Sequence, residues 1–269
     1  MLSPRVDNRG YFTALLVALV LLAWLALFAW GESPYGRYLS HEELSTVKLR
    51  LDGDTLATTL FFVAGWTVMT VAMMLPTSLP LISMFQKVVS RRQERTLLWL
   101  LLLAGYLAVW TVFGVAVHSG DRVLHTLVEQ SHWLEDRAWL IGAGTLVVAG
   151  IYQFTPLKYM CLDKCRSPLN FITSHWHGSN ERPSAFKLGV HHGIFCVGCC
   201  WSLMMLMFAV GVGNIGWMLV LGIVMAIEKN MPWGRRLSAP LGVALVVAGA
   251  VLFLLAGGPE ACAHGGGDC

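Results

Sequence analysis

The chain has 269 residues, of which 56% are hydrophobic and only 13% charged, with a mean hydropathy of +0.61. A water-soluble domain carries about 25% charged residues, so this composition belongs in lipid. The formal charge of +3 comes with no helix-turn-helix, basic stripe or RNA-binding signature, so nucleic acid is not an expected partner. No Gly-rich phosphate loop follows a strand, which argues against a nucleotide-driven pump within this chain. Five of the seven cysteines cluster in two short motifs, which is not the pattern of an extracellular disulfide framework.

Residues 11–30 form a continuous apolar run long enough to span a bilayer. The run follows Arg5 and Arg9 but exceeds a usual signal core, and it ends FAWGESP without a small-x-small cleavage site, so it reads as a retained first span. Further spans are expected at about 56–82, 97–117, 138–154, 192–212, 215–227 and 237–256, the sixth being short. The chain thus reads as one all-α transmembrane domain over residues 1–269, a polytopic bundle of about seven helices with a flexible tail at 257–269. With the N-terminus in the cytoplasm, the inner segments hold most of the Lys and Arg, including Lys87, Arg91, Arg92, Arg95, Lys158, Lys164, Arg166, Arg182, Lys187, Lys229, Arg235 and Arg236. The C-terminal tail then lies outside.

This orientation gathers the unusual residues at one depth. The second span reads MTVAMMLPTSLP near its inner end, where Pro76 and Pro80 should kink or open the helix. The fourth leads into YQFTPLKYMCLDKCRSP, with Cys161 and Cys165 one turn apart on a helix limited by Pro156 and Pro168. Lys158, Lys164 and Arg166 beside them should favour thiolates. The fifth carries GVHHGIFCVGCCWSLMMLM. At 100° per residue and with Cys196 as zero, His192 falls near −40°, Cys199 near −60°, Cys200 near +40° and Met207 near +20°, whereas His191 points roughly 140° away. One stripe therefore bears a nitrogen donor and several sulfur donors. The sixth ends at Glu228-Lys229, where the carboxylate could be a ligand, a partner for a histidine, or an ion pair with Lys229.

Weaker signals lie elsewhere. His118, His125 and His132 recur every seven residues with Asp121, Glu129 and Asp136 close behind each. They read as an amphipathic interfacial segment or as a row of transient cation stations, too widely spaced to share one ion. The tail CAHGGGDC, from Cys262 to Cys269, is open to disorder, a disulfide or metal capture. His175 and His177 read as loop residues.

Thiolate, thioether and imidazole donors suit Cu(I), Zn(II) or iron and do not suit Mg or Ca. The expected metal ligands are Cys161, Cys165, His192, Cys196, Cys199, Cys200 and Glu228, with copper placed above zinc or iron. Met73, Met74, Met204 and Met207 could form a thioether relay deeper in the membrane. The scarcity of intramembrane carboxylates speaks against a proton-coupled zinc carrier.

MMLPTSLP, LKYMCLDKCRSP and GVHHGIFCVGCCWSLM followed by NIGWM and EK resemble a bacterial family of polytopic proteins of unknown function. Its members are usually described as predicted metal-binding integral membrane proteins. The resemblance covers roughly residues 56–256 and rests on the CLxxCR and HxxxCxGCCW strings. It implies a multi-pass bacterial inner-membrane protein and supplies neither substrate nor reaction. Three functions follow. The first is soft-metal binding for transport, trafficking or delivery, with a metallochaperone or membrane enzyme as partner and no reaction catalysed. The second is an accessory or assembly subunit of a membrane metalloenzyme complex, docking through small-residue surfaces at Gly142, Gly144, Gly150, Gly189 and Gly193. The third is a transmembrane thiol–disulfide relay.

Overall fold

The computed structural model describes residues 8–31, 53–130, 137, 139–176, 180–210 and 214–256. Among the described residues the chain is all-helical. Helix α1 is Asn8–Gly31, and α2, Gly53–Met73, is followed by a 3-10 turn at Pro76–Ser78 and by α3, Leu79–Val88. Then come α4 (Arg95–Glu129), α5 (Trp139–Tyr152), α6 (Pro156–Arg166), α7 (Pro168–His175) and α8 (Glu181–Val210). Helix α9 (Ile215–Asn230), a second 3-10 turn at Gly234–Leu237 and α10 (Ser238–Ala256) complete it.

Among the described residues, three segments are long and apolar enough to cross a membrane: Arg95–Val128, Glu181–Met207 and Gly234–Ala256. Two more qualify if each bent pair is one span. These are Thr59–Met73 with Pro76–Val88, bent by 46°, and Trp139–Tyr152 with Pro156–Arg166, bent by 65°. The segment Ala14–Ala29 of α1 is apolar but shorter. A helix stands at each of the seven expected positions, and three to five of them meet the length and composition of a span.

Both bends come from proline. At the first, the Met74 carbonyl loses its helical partner and instead accepts from Thr77 Oγ1 at 2.7 Å and from Tyr106 Oη at 3.3 Å. Freed backbone is thus satisfied by side chains inside the bundle, as an apolar interior requires. At the second, Thr155 Oγ1 accepts from the Lys158 amide, and Pro156 opens α6 with its fixed φ. The two prolines 156 and 168 bound α6 to 11 residues, the three turns that the sequence predicts.

Helix α4 does not stop at Val117. It continues to Glu129 over 35 residues, because no proline interrupts it and a single Gly120 is tolerated in a helix. The segment holding His118 is therefore an extension of α4. His118 itself is buried and stacks on Phe62 with centroids 4.3 Å apart. His132, Asp136 and the CAHGGGDC tail lie outside the described residues, as does the His125 side chain.

Helices α4 and α8 form the central pair. A Cβ at Gly189 would strike the Leu102 carbonyl, and one at Gly105 the Phe186 carbonyl, so only glycine permits this approach. A Cβ at Gly193 would meet Val109, and one at Gly150 would meet Val246 of α10. Gly150, Gly189 and Gly193, expected to face a partner, are used within the chain; Gly142 and Gly144 have nothing within 4 Å. Around the central pair, α6 and α5 pack on α8, α10 packs on α5, and α1 packs on α2. Arg182 binds the Glu94 carboxylate through Nε at 2.7 Å and Nη2 at 2.5 Å, tying the start of α8 to that of α4. That guanidinium hydrogen bond holds the Glu94 carboxyl below the usual range.

Candidate metal centre

The two cysteine motifs meet at Gly198. A Cβ on Gly198 would lie 2.6 Å from Cys161 Sγ, so the glycine of CxGCC is the seat of the first cysteine of CLxxCR. The Tyr152 hydroxyl donates to the Gly198 carbonyl and fixes α5 to the same turn of α8. Around this point the thiols gather. Cys199 Sγ lies 3.9 Å from Cys165 Sγ and 3.4 Å from Cys200 Sγ. Cys196 stands one turn before Cys200 on α8, and its carbonyl oxygen lies 3.2 Å from Cys199 Sγ. Cys161, Cys196, Cys199 and Cys200 are buried, Cys165 is half-buried, and all five are free thiols.

The cation beside them is not one of those expected. Lys229 Nζ donates to Cys196 Sγ at 3.0 Å and to Thr77 Oγ1 at 3.2 Å, all within the interior. Tyr106 Oη lies 3.1 Å from the same sulfur. Lys158 has a different job. Its ammonium donates to both Glu228 carboxylate oxygens at 2.8 and 3.0 Å and also to Gln153 Oε1. Ser238 Oγ donates to Glu228 Oε1 at 2.6 Å. Arg166 is spent on the end of α9, donating to the carbonyls of Glu228, Met231 and Pro232. Adjacent residues on a helix do not face each other. Glu228 and Lys229 accordingly diverge, one to Lys158 and one to Cys196, and the Glu228–Lys229 ion pair is not formed.

Of the seven expected ligands, the structure thus brings the sulfurs of Cys165, Cys199 and Cys200 into contact, with Cys196 one turn before Cys200 and Cys161 against the backbone beside them. His192 is one turn from Cys196, but its ring turns to the helix break. Nε2 sits 3.0 Å from Ser78 Oγ, the ring stacks on Tyr106 at 5.5 Å, and Nδ1 has no partner. Glu228 is held away from the sulfurs by Lys158. Met73, Met74, Met204 and Met207 are buried in the core.

Among the described residues, no group of three or more His, Cys, Asp or Glu side chains is already arranged to hold a metal ion. The donor chemistry nevertheless fits a soft cation. A metal–sulfur bond of about 2.3 Å places two thiolates on a trigonal centre about 4 Å apart, close to the 3.9 Å between Cys165 and Cys199. The sulfurs have no carboxylate among them, and one ammonium is at hand to offset thiolate charge.

Sequence reasoning missed Lys229, Tyr106, Thr77 and Ser78. A lysine inside an apolar helix end was the available signal for the first. The other three became visible only when the Pro76 break was packed against α8 and α9.

No curated protein and no solved structure matches the chain. A family model described as PpoB2, copper chaperone, matches residues 63–252, a stretch containing both cysteine motifs, the proline break and Lys229. The chain belongs to this copper chaperone family.

Proposed function

We propose that this protein is a membrane-embedded Cu(I)-binding protein that takes up copper on buried thiols and delivers it to a membrane enzyme or metallochaperone. The observation that carries the reading is the group of Cys165, Cys196, Cys199 and Cys200 with Lys229 Nζ 3.0 Å from Cys196 Sγ. Thiolates select Cu(I) over hard cations. Two thiolates and Cu(I) sum to one negative charge, which one buried ammonium neutralises; the same pair on a divalent ion would leave the ammonium uncompensated. Cys199 and Cys165 come from different helices, so copper would crosslink α6 to α8.

Embedding in the bacterial inner membrane, with the N-terminus in the cytoplasm, belongs to the same reading. What supports it is three to five helices of spanning length and the apolar outer surface. Leu21, Leu22 and Leu25 of α1, Val112 of α4, Ile151 of α5, and Leu254 and Leu255 of α10 all face outward. Water-soluble monomers rarely expose apolar surface on this scale.

The test is metal analysis of purified protein loaded with Cu(I), with X-ray absorption at the copper edge. Wild type is expected to hold about one sulfur-bound equivalent, and Cys196→Ser with Cys199→Ser to lose it. Equal copper with equal sulfur scattering in both proteins would end the assignment.

A further inference from the structure

Outside the thiol group, the exposed side of α8 carries a second set of nitrogen donors. His175 ends α7 and His191 lies on α8; their ring centroids are 4.8 Å apart with planes at 50°. His191 is exposed and His175 half-buried. His175 Nδ1 lies 2.9 Å from the Phe171 carbonyl oxygen. Ser174 Oγ lies 2.8 Å from the same nitrogen; in the tautomer that donates to the carbonyl, the proton is on Nδ1 and the lone pair on Nε2 is free. A histidine whose far nitrogen donates to a backbone carbonyl is fixed in the tautomer and orientation of a metal ligand. Two imidazoles bound at about 2.0 Å to one tetrahedral ion have centroids about 5 Å apart, which the observed separation matches.

The pair is connected inward. The Phe171 ring stacks on His175 at 4.5 Å and meets His192 edge-on at 5.7 Å. His192 is buried, with Nδ1 unpartnered, and stands one turn before Cys196. Imidazoles therefore run from the exposed face of α8 to the first buried thiol. Lys187, one turn before His191 on the same helix and electrostatically coupled to it, opposes doubly charged ions more than singly charged ones.

We propose that His175 and His191 form an outer acceptor site for Cu(I), on which copper is captured before it reaches the buried thiols. The proposal rests on the copper reading above for its metal, while its ligands are separate. His175→Ala with His191→Ala alters exposed and half-exposed side chains, so the fold should be retained, and His191→Gln alone provides a milder second variant.

The experiment follows Cu(I) transfer from a chromogenic Cu(I) chelator to detergent-purified protein, recording equivalents bound and rate. Wild type should take up about one equivalent more than the double-histidine variant, and load roughly ten times faster; His191→Gln should lie on the slow side. In the Cys196→Ser, Cys199→Ser background, the residual copper should show a nitrogen-only shell and vanish when both histidines are replaced. Equal uptake and rate with and without His175 and His191 would overturn the proposal, and so would nitrogen-bound copper that survives their removal. A failure of the thiol assignment reads differently: sulfur scattering would persist in the serine background, whatever the histidines do.

Discussion

Replacing Glu228 by Gln separates a structural carboxylate from a ligand. Both Glu228 oxygens accept from Lys158 Nζ at 2.8 and 3.0 Å, and the two side chains are 0% and 1% exposed. Glu228→Gln would leave the Lys158 ammonium with Gln153 Oε1 as its main partner. Removing one member of a buried ion pair typically costs about 3–5 kcal/mol, because the other charge remains desolvated. Replacing both by apolar residues is far cheaper. Lys158→Met with Glu228→Met should fall within about 2 kcal/mol of wild type, the remaining loss being the partners of Gln153 Oε1 and Ser238 Oγ. A double-mutant cycle should then give a coupling of about 3 kcal/mol or more. The assay is reversible denaturant unfolding in detergent micelles followed by tryptophan fluorescence, with copper content measured on the folded fraction of each variant. Glu228→Gln should bind as much Cu(I) as wild type once folded. A stability loss under about 1 kcal/mol, or copper lost from a protein still folded, would refute the reasoning and return Glu228 to the ligand set.

Two further outcomes follow from the centre itself. Lys229→Met removes the charge-assisted hydrogen bond to Cys196, worth about 1.5–3 kcal/mol. Chelator competition should therefore show Cu(I) bound about ten- to a hundredfold more weakly at unchanged stoichiometry, and unchanged affinity would remove Lys229 from the site. Gly198→Ala gains about 1 kcal/mol of helix propensity but drives Cys161 Sγ from its seat at a cost of about 0.5–1.5 kcal/mol. Stability should stay within about 1 kcal/mol of wild type while Cu(I) affinity falls. Intact affinity in a stable protein would mean that Cys161 packs and does not bind.

The positions of the helices were legible because apolar runs and prolines act locally. Pro76 and Pro156 break their helices where their missing amides and fixed φ require it, and the run from Asn214 starts α9 with its side chain accepting from the Trp217 amide at 3.0 Å. The meeting of CLxxCR with CxGCC was legible as soft donors recurring at one depth. The choice of cation was not. Lys158 and Lys229 are both single lysines near apolar helix ends, and only the packing of α9 against the Pro76 turn decides which one reaches the sulfur. Nor could spacing show that Gly189 and Gly193 face α4 and not a partner. A glycine licenses close approach without naming the neighbour. The extension of α4 past Val117 was obscured by its charged residues, which read as a surface segment although nothing in them stops a helix.

Cys165 differs from its four neighbours in one respect: part of its surface is open, while theirs is closed over by helices. An incoming donor from another molecule can therefore approach only that sulfur without first prising the bundle apart. In release, the reverse of capture at His175 and His191, ligand exchange would begin there and draw the ion out one sulfur at a time, held at each moment by either the giver or the receiver. If it carries copper as proposed, such a centre would lose metal slowly to water and quickly to a docked recipient, the kinetic signature required of a courier carrying a toxic ion.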